Sequence, residues 1–351
     1  MVKKIATFGE IMLRLSKPDY KRLFQGRQYN ENYGGSEANV AVSLAMLGDD
    51  VEFITRVPSN QVGKAACMRL NEFGVSTKQV VFGGDRLGSY FFEEAVSMRN
   101  SSVVYDRANS SFCNFQSNMM DWNEALKGVE VLHTSGISCA VSDVSRQTTM
   151  DAIAEAHKKG ACISFDINYR KNLWSTKEKA NNVLSCCGQQ ADVIFGDQGE
   201  YEIITGMPRV PFLATDENYE MDLQAFERYL RQTASMFPKA KKLVMAARNQ
   251  ISSTHHTLTG FIFADGRLYH TRIYDIAPII DPMGVGDAFC AAYIHAFAHW
   301  PEDNQHCLDF SLAASAMKNN IVGDFNLVTE TEIEHLMEGN DEGFKVYDEL
   351  Q

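Results

Sequence analysis

Ile279-Ile280-Asp281-Pro282-Met283-Gly284-Val285-Gly286-Asp287-Ala288-Phe289 is an apolar run that stops at an acid, followed by a proline, two glycines flanking one residue, and a second acid. The residues that follow, Ala288 to Ile294, read as a buried helix. An extended segment, a glycine turn and a helix start together present unpaired backbone N–H groups to an anion. Asp287 beside such a hole suggests a base next to a phosphate. The same residues also fit an ordinary glycine-rich turn in which Asp287 caps a helix, and the stretch alone does not separate the two.

The flanking sequence supplies the frame. Lys4 to Phe8 reads as a buried strand, and Ile11 to Leu15 as a strand with one exposed face. Gly34-Gly35-Ser36 opens a helix in which Ala38, Val42, Ala45 and Met46 recur at helical spacing before Gly48. A strand over Val51 to Thr55 and a helix over Val62 to Phe73 continue a β–α–β–α rhythm, which predicts a parallel sheet covered by helices. Between about Val80 and Asp106 the rhythm breaks into two strand-like runs with no helix between them. They predict an inserted hairpin, a lid or edge structure that forms a small second sheet with residues 11–16. The rhythm resumes with strands at Val129 to His133, Cys162 to Asp166, Val193 to Phe195 and Lys242 to Ala246, and a hairpin turns at Asp265-Gly266. In such sheets ligands sit beyond the carboxyl ends of the strands. The polar residues to collect there are Glu10, Gly34-Gly35, Arg170, Asp197, Arg248 and Asp287.

Composition narrows the classes. The 351 residues carry a net charge of −12, which argues against nucleic acid and anionic membranes as main partners. An anionic small substrate would need a locally placed Arg or Lys. None of the eight cysteines sits in a CxxC pair, which reads as reduced, buried thiols of a cytoplasmic protein. The N-terminus begins like a secretory leader, but Glu10 and Arg14 interrupt the apolar run, so an amphipathic first strand is expected instead. No Walker pattern and no HExxH occurs. His295 and His299 stand four apart on the helix after Asp287; with no third ligand in view they read as packing or surface residues. His255-His256 read as solvated loop residues.

Two distant motifs make a resemblance. Gly284-Val285-Gly286-Asp287-Ala288-Phe289 resembles the C-terminal signature of the ribokinase-like (PfkB) carbohydrate kinases, and Gly34-Gly35-Ser36-Glu37-Ala38-Asn39-Val40-Ala41 resembles their N-terminal one. Phe8 to Leu15, Phe165 to Trp174 and Gly323 to Thr329 look like the group within that family that acts on 2-keto-3-deoxygluconate. The resemblance covers nearly the whole chain. It implies a single domain over residues 1–351: a three-layer α/β sandwich with a mostly parallel central sheet and a small β lid from about 11–33 and 82–110.

It also implies an activity: ATP-dependent phosphorylation of the C6 hydroxyl of 2-keto-3-deoxygluconate, with Mg2+ and room for a monovalent cation. Asp287 would be the base, ionised at neutral pH by its helix start, and Gly284, Val285 and Gly286 the anion hole. Gly34, Gly35, Tyr90, Tyr105, Arg107 and Arg170 would bind the sugar acid, an Arg fork taking the carboxylate. Arg248, Gly284, Gly286 and Asn319 would border the nucleotide, and Asp197 and Glu200 would serve the metal indirectly. The sequence departs from the family pattern at Val285, usually Ala or Gly, and at Asp197, usually Asn in an Asn-x-x-Glu motif. The alternatives are a related kinase for fructose, a deoxy-gluconate relative or a nucleoside, and a catalytically silent sugar-binding protein. An exposed apolar lid would need cover, so a homodimer through the lid is expected.

Overall fold

A computed structural model of the protein describes residues 3–215 and 219–339; the opening Met1-Val2 of the leader-like stretch lies outside them. Its strands, in chain order, are β1 Lys4–Phe8, β2 Met12–Ser16, β3 Asn30–Gly34, β4 Asp50–Val57, β5 Val80–Phe82, β6 Gly88–Glu93 and β7 Ser102–Asp106. The second half adds β8 Val131–Ser135, β9 Cys162–Asp166, β10 Val193–Asp197, β11 Lys242–Ser252, β12 His255–Ala264, β13 Arg267–His270 and β14 Tyr274–Ile276.

The large sheet runs in the order β13-β12-β11-β10-β9-β8-β1-β4-β5, with β14 paired to β12. From β11 to β5 every pairing is parallel, and β12 joins antiparallel to β11. Two apolar cores cover its two faces. One holds the helices Ser36–Met46, Val285–His299 and Asn304–Lys318; the other holds Asp143–Lys158, Lys177–Gly188 and Leu223–Met236. This is the expected three-layer α/β sandwich. β1 lies between β4 and β8, so the chain leaves it in both directions along the sheet, and a crevice opens there beyond the strand ends.

The second, smaller sheet, β3-β2-β6-β7, is built from the segments expected to form a lid and is called the lid sheet. β2 pairs parallel with β6, and β6 pairs antiparallel with β7, which sets Tyr90 opposite Tyr105. β2 reverses the expected facing. Arg14 and Ser16 are buried, while Leu13 and Leu15 are half-buried. The polar face points inward because two carboxylates wait for it there. β1 is likewise not amphipathic: four of its five residues are buried.

The helices Ser36–Met46 and Val285–His299 are unusual in being buried on nearly every side over residues 36–44 and 288–296. They pack against each other, and both carry small buried residues, Ala38 and Ala41 on one and Ala291 and Ala292 on the other. This close pairing lets the first turn of one helix hold a side chain on the first turn of the other.

Candidate active site

The helix starting at Val285 is capped by Gly284 in the left-handed conformation, φ 79°. A Cβ there would also strike the carbonyl oxygen of Asp324, so both backbone and packing require glycine. The first intrahelical bond runs from Ala288 N–H to Gly284 O at 2.8 Å. The N–H groups before it have no helical partner and edge a cleft of about 650 Å³ between lid and sheet.

Asp287 projects into this cleft from the first turn. Its Oδ1 accepts from Ser36 Oγ at 2.8 Å, and its Oδ2 from Asn39 Nδ2 at 2.7 Å. Ser36 and Asn39 stand three apart on the facing helix and so share one face. Asn168 Nδ2 in turn donates to Ser36 Oγ at 3.0 Å. The expectation of a pKa set by the helix start is corrected: burial pushes the Asp287 carboxyl up, and the Asn39 and Ser36 hydrogen bonds oppose that rise. This places it closer to a useful base than a free aspartate.

Asp166, at the end of β9, is held well above the usual carboxylate range by burial, with Glu200 and then Asp287 adding repulsion. Burial, then the Asp197 charge, pushes Glu200 up to about 7. Asp197 and Glu200 form a capping box on the helix Gln198–Thr205. Asp197 Oδ1 accepts from Glu200 N–H and Glu200 Oε2 from Asp197 N–H, both at 2.9 Å. Asp197 therefore does locally what Asn would do. Arg170 and Arg248 line the same cleft, are exposed to it, and form no ion pair among the described residues.

The lid side is closed by pairing. Arg14, fully buried, donates from Nη2 to Asp281 Oδ2 at 2.7 Å and from Nη1 to Asp324 Oδ1 at 2.8 Å, with its guanidinium 4.3 Å from the Phe92 ring centre. Burial pulls its pKa down, and the two carboxylates more than reverse the effect. Tyr90 is 1% exposed and donates to the other Asp324 oxygen. Arg107 lines the cleft, but its guanidinium is tied to Glu10, which also accepts from Ser110.

The remaining sequence candidates divide. Gly35, Val285, Gly286, Tyr105 and Glu200 line the cleft with the residues above. Gly34 does not: its missing side chain makes room for the Asp324 carboxylate and the Tyr90 hydroxyl. Asn319 lies off the cleft wall because its Nδ2 folds back onto Ser315 O and Ala316 O. Its carbonyl accepts from Ile280 and Asp281 N–H and so anchors the run into the loop. His256, read as solvated, is buried in β12 on the cleft wall, and burial lowers its pKa to about 4. Sequence reasoning missed Ser36, Asn39, Asp166 and Arg14; only the polar pair at 36 and 39, at helical spacing, carried a local signal.

Comparison with known proteins gives the family. Residues 2–323 match the pfkB family carbohydrate kinases. A crystal structure of 2-dehydro-3-deoxygluconokinase from Thermotoga maritima is 36% identical, with a TM-score of 0.89 over 96% of this chain and all of that one. A PfkB family carbohydrate kinase from Listeria grayi is 33% identical, with a TM-score of 0.87 and the same coverage. Among curated proteins, a 2-dehydro-3-deoxygalactonokinase of Haloferax volcanii is 25% identical over 98% of this chain and 99% of its own. A 5-dehydro-2-deoxygluconokinase of Clostridium perfringens is 27% identical over 89% and 86%. No helix of the described residues is long and apolar enough to cross a membrane. With a family match over most of its length and a phosphotransferase-like cleft at the expected strand ends, the chain belongs to the pfkB family of carbohydrate kinases.

Proposed function

We propose that the protein transfers the γ-phosphoryl group of ATP to the C6 hydroxyl of 2-keto-3-deoxygluconate. The observation that carries this reading is the Asp287 carboxylate, held by Ser36 and Asn39 at a glycine-capped helix start, with Arg170, unpaired among the described residues, in the same cleft. The names of the Thermotoga and Haloferax proteins support a keto-deoxy sugar acid.

In this reading Asp287 accepts the proton of the attacking hydroxyl as its oxygen bonds to the γ-phosphorus and the bond to the ADP oxygen breaks. The N–H groups of Val285 and Gly286 face the charge spread over the transferring group. Arg170 pairs with the substrate carboxylate; Arg107, neutralised by Glu10, shapes the lid wall instead. Arg248 borders the nucleotide. Asp166, Asp197, Glu200 and Asp287 outnumber Arg170 and Arg248 there, and burial first, then this carboxylate repulsion, raises the pKa values of Asp166 and Glu200. This donor set fits a hydrated Mg2+, held by Asp197 and Glu200 directly or through water. Bound there, Mg2+ would neutralise phosphate charge.

The test is ADP release across a panel of sugar acids and neutral sugars. Preference for the keto-deoxy acid supports the reading; preference for a neutral sugar removes the role given to Arg170. The relatives' names also favour one second reading, a 5-dehydro-2-deoxygluconate substrate, which the same panel contains. We further infer a homodimer through the lid, because the edge strand β7 leaves Val104 and Tyr105 51% and 46% exposed. Light scattering that finds only monomer removes this inference.

A further inference from the structure

The Val285–His299 helix carries Asp287 on its first turn and a second polar cluster on its last. His295 and His299 stand one turn apart, on one face. Asp49, in the turn between the Ser36–Met46 helix and β4, reaches between them. His295 Nδ1 lies 2.8 Å from Asp49 Oδ2, and His299 Nε2 lies 3.1 Å from Asp49 Oδ1. One ligand atom from each residue falls within 4.8 Å of the other two. Asp49 and His295 are buried and His299 reaches the surface.

We propose that these three residues form a binding site for a divalent transition-metal ion of the Zn2+ class, distinct from the phosphate-binding cleft. Three observations carry the assignment. Asp49 is a buried carboxylate whose only ion-pair partners among the described residues are the two imidazoles. A single cation can take one ligand atom from each of the three side chains at once. Secondly, the helix pre-arranges the histidines at the spacing of a chelating pair, and Asp49 is the third ligand that the sequence did not reveal. Bonds of about 2.0–2.1 Å to an ion set tetrahedral ligand atoms roughly 3.4 Å apart, and one atom from each of these three side chains already falls within 4.8 Å of the other two. Thirdly, Phe310 and Trp300 pack on the His295 ring, with centroids at 5.7 and 6.0 Å, and form a dry wall on one side. The exposed side at His299 leaves a fourth position for water.

The donor set separates this site from the one proposed for Mg2+. Imidazole nitrogens suit zinc, copper and nickel, whereas Mg2+ takes oxygen ligands. At about 1.5 Å rise per residue, His295 sits roughly 12 Å along the helix from Asp287. An ion there clips the helix that carries the base to the turn that follows the helix carrying Ser36 and Asn39. Its role is therefore to fix the pairing of those two helices and not to take part in the reaction.

The experiment uses the full-length protein, stripped with a chelator and titrated with ZnCl2 by calorimetry and thermal melting, beside His299→Ala and Asp49→Asn. The expected result is one saturable Zn2+ per chain and a rise in Tm of roughly 3–6 °C at a hundredfold excess over Kd. His299→Ala should weaken binding by about tenfold or more, with a metal-free melt close to that of the parent. Co2+ should quench Trp300, whose ring centre is 5.8 Å from that of His299, and Mg2+ in excess should not compete. If His299→Ala does not fold, Asp49→Asn supplies the same comparison. Absence of saturable binding below about 1 mM overturns the proposal. So does equal Zn2+ affinity in parent and variants, which would assign the ion to other surface histidines or to Cys186.

Discussion

The two sides of the loop from Asp281 to Asp287 hold the same ingredients and arrange them in opposite ways. On the lid side Arg14 is buried between Asp281 and Asp324, with Tyr90 closing the remaining oxygen. On the sheet side Asp166, Glu200 and Asp287 share a cleft with Arg170, and among the described residues no ion pair forms there. A buried pair compensates its desolvation only where geometry is good, and the lid side meets that condition. The sheet side lacks such pairs, while burial raises carboxyl pKa values on both sides, at Asp324 as at Asp166, Glu200 and Asp287. Matched charge holds the loop in place. Unmatched charge marks where ligands supply what the protein lacks.

Five substitutions, one of them with an added second-site change, test this contrast. The largest effect belongs to Asp287→Asn, which should lower kcat by about 10³-fold or more while leaving the thermal melt near that of the parent. Near-normal turnover would remove Asp287 from the reaction. Because the base must be ionised and its pKa is raised, kcat/KM should fall as pH drops through a midpoint above the ordinary aspartate range. Asn39→Leu removes a group that lowers that pKa, so its midpoint should move further up; an unmoved midpoint would show that the limb belongs to another group.

Next comes Arg14→Met, on the matched side. It strands Asp281 and Asp324 together and should cost about 3–5 kcal/mol in urea unfolding. Adding Asp324→Asn should recover part of the loss. A loss below about 1 kcal/mol would mean the pair is not holding the loop.

Arg170→Lys, on the unmatched side, should leave stability unchanged and lower kcat/KM for a keto-deoxy acid by about 10–100-fold, since Lys cannot form the bidentate fork. An equal loss for a neutral sugar would reassign Arg170 to the phosphates. Asp197→Asn should do least, changing stability by about 0.5 kcal/mol or less, because both residues cap the helix.

The glycine loop, the Gly34-Gly35 helix start and the residues after each strand were legible because each is a local pattern. The strand-end rule brought Arg170, Asp197, Arg248 and Asp287 into one cleft with Gly35. Arg14 was misread because alternation sends a charged residue outward, and nothing within reach of a window argues otherwise. Its partners lie 267 and 310 residues away. Asp49 hid for the same reason, 246 residues from His295. Arg107 was legible as a cation in the lid but not as one already paired, because Glu10 is 97 residues distant. What a side chain is could be read locally; whether its charge is matched could not.

In the proposed reading Arg170 is matched by an anionic sugar acid, and the surplus of carboxylates by the Mg2+ that accompanies ATP. The most direct test of this reading is the initial rate of ADP release by the parent protein on 2-keto-3-deoxygluconate, its deoxygalactonate relative, 5-dehydro-2-deoxygluconate, fructose and a nucleoside. The highest kcat/KM is expected for a keto-deoxy sugar acid, by about 10²-fold or more over fructose and the nucleoside. A neutral acceptor that matches or exceeds the acids would contradict it.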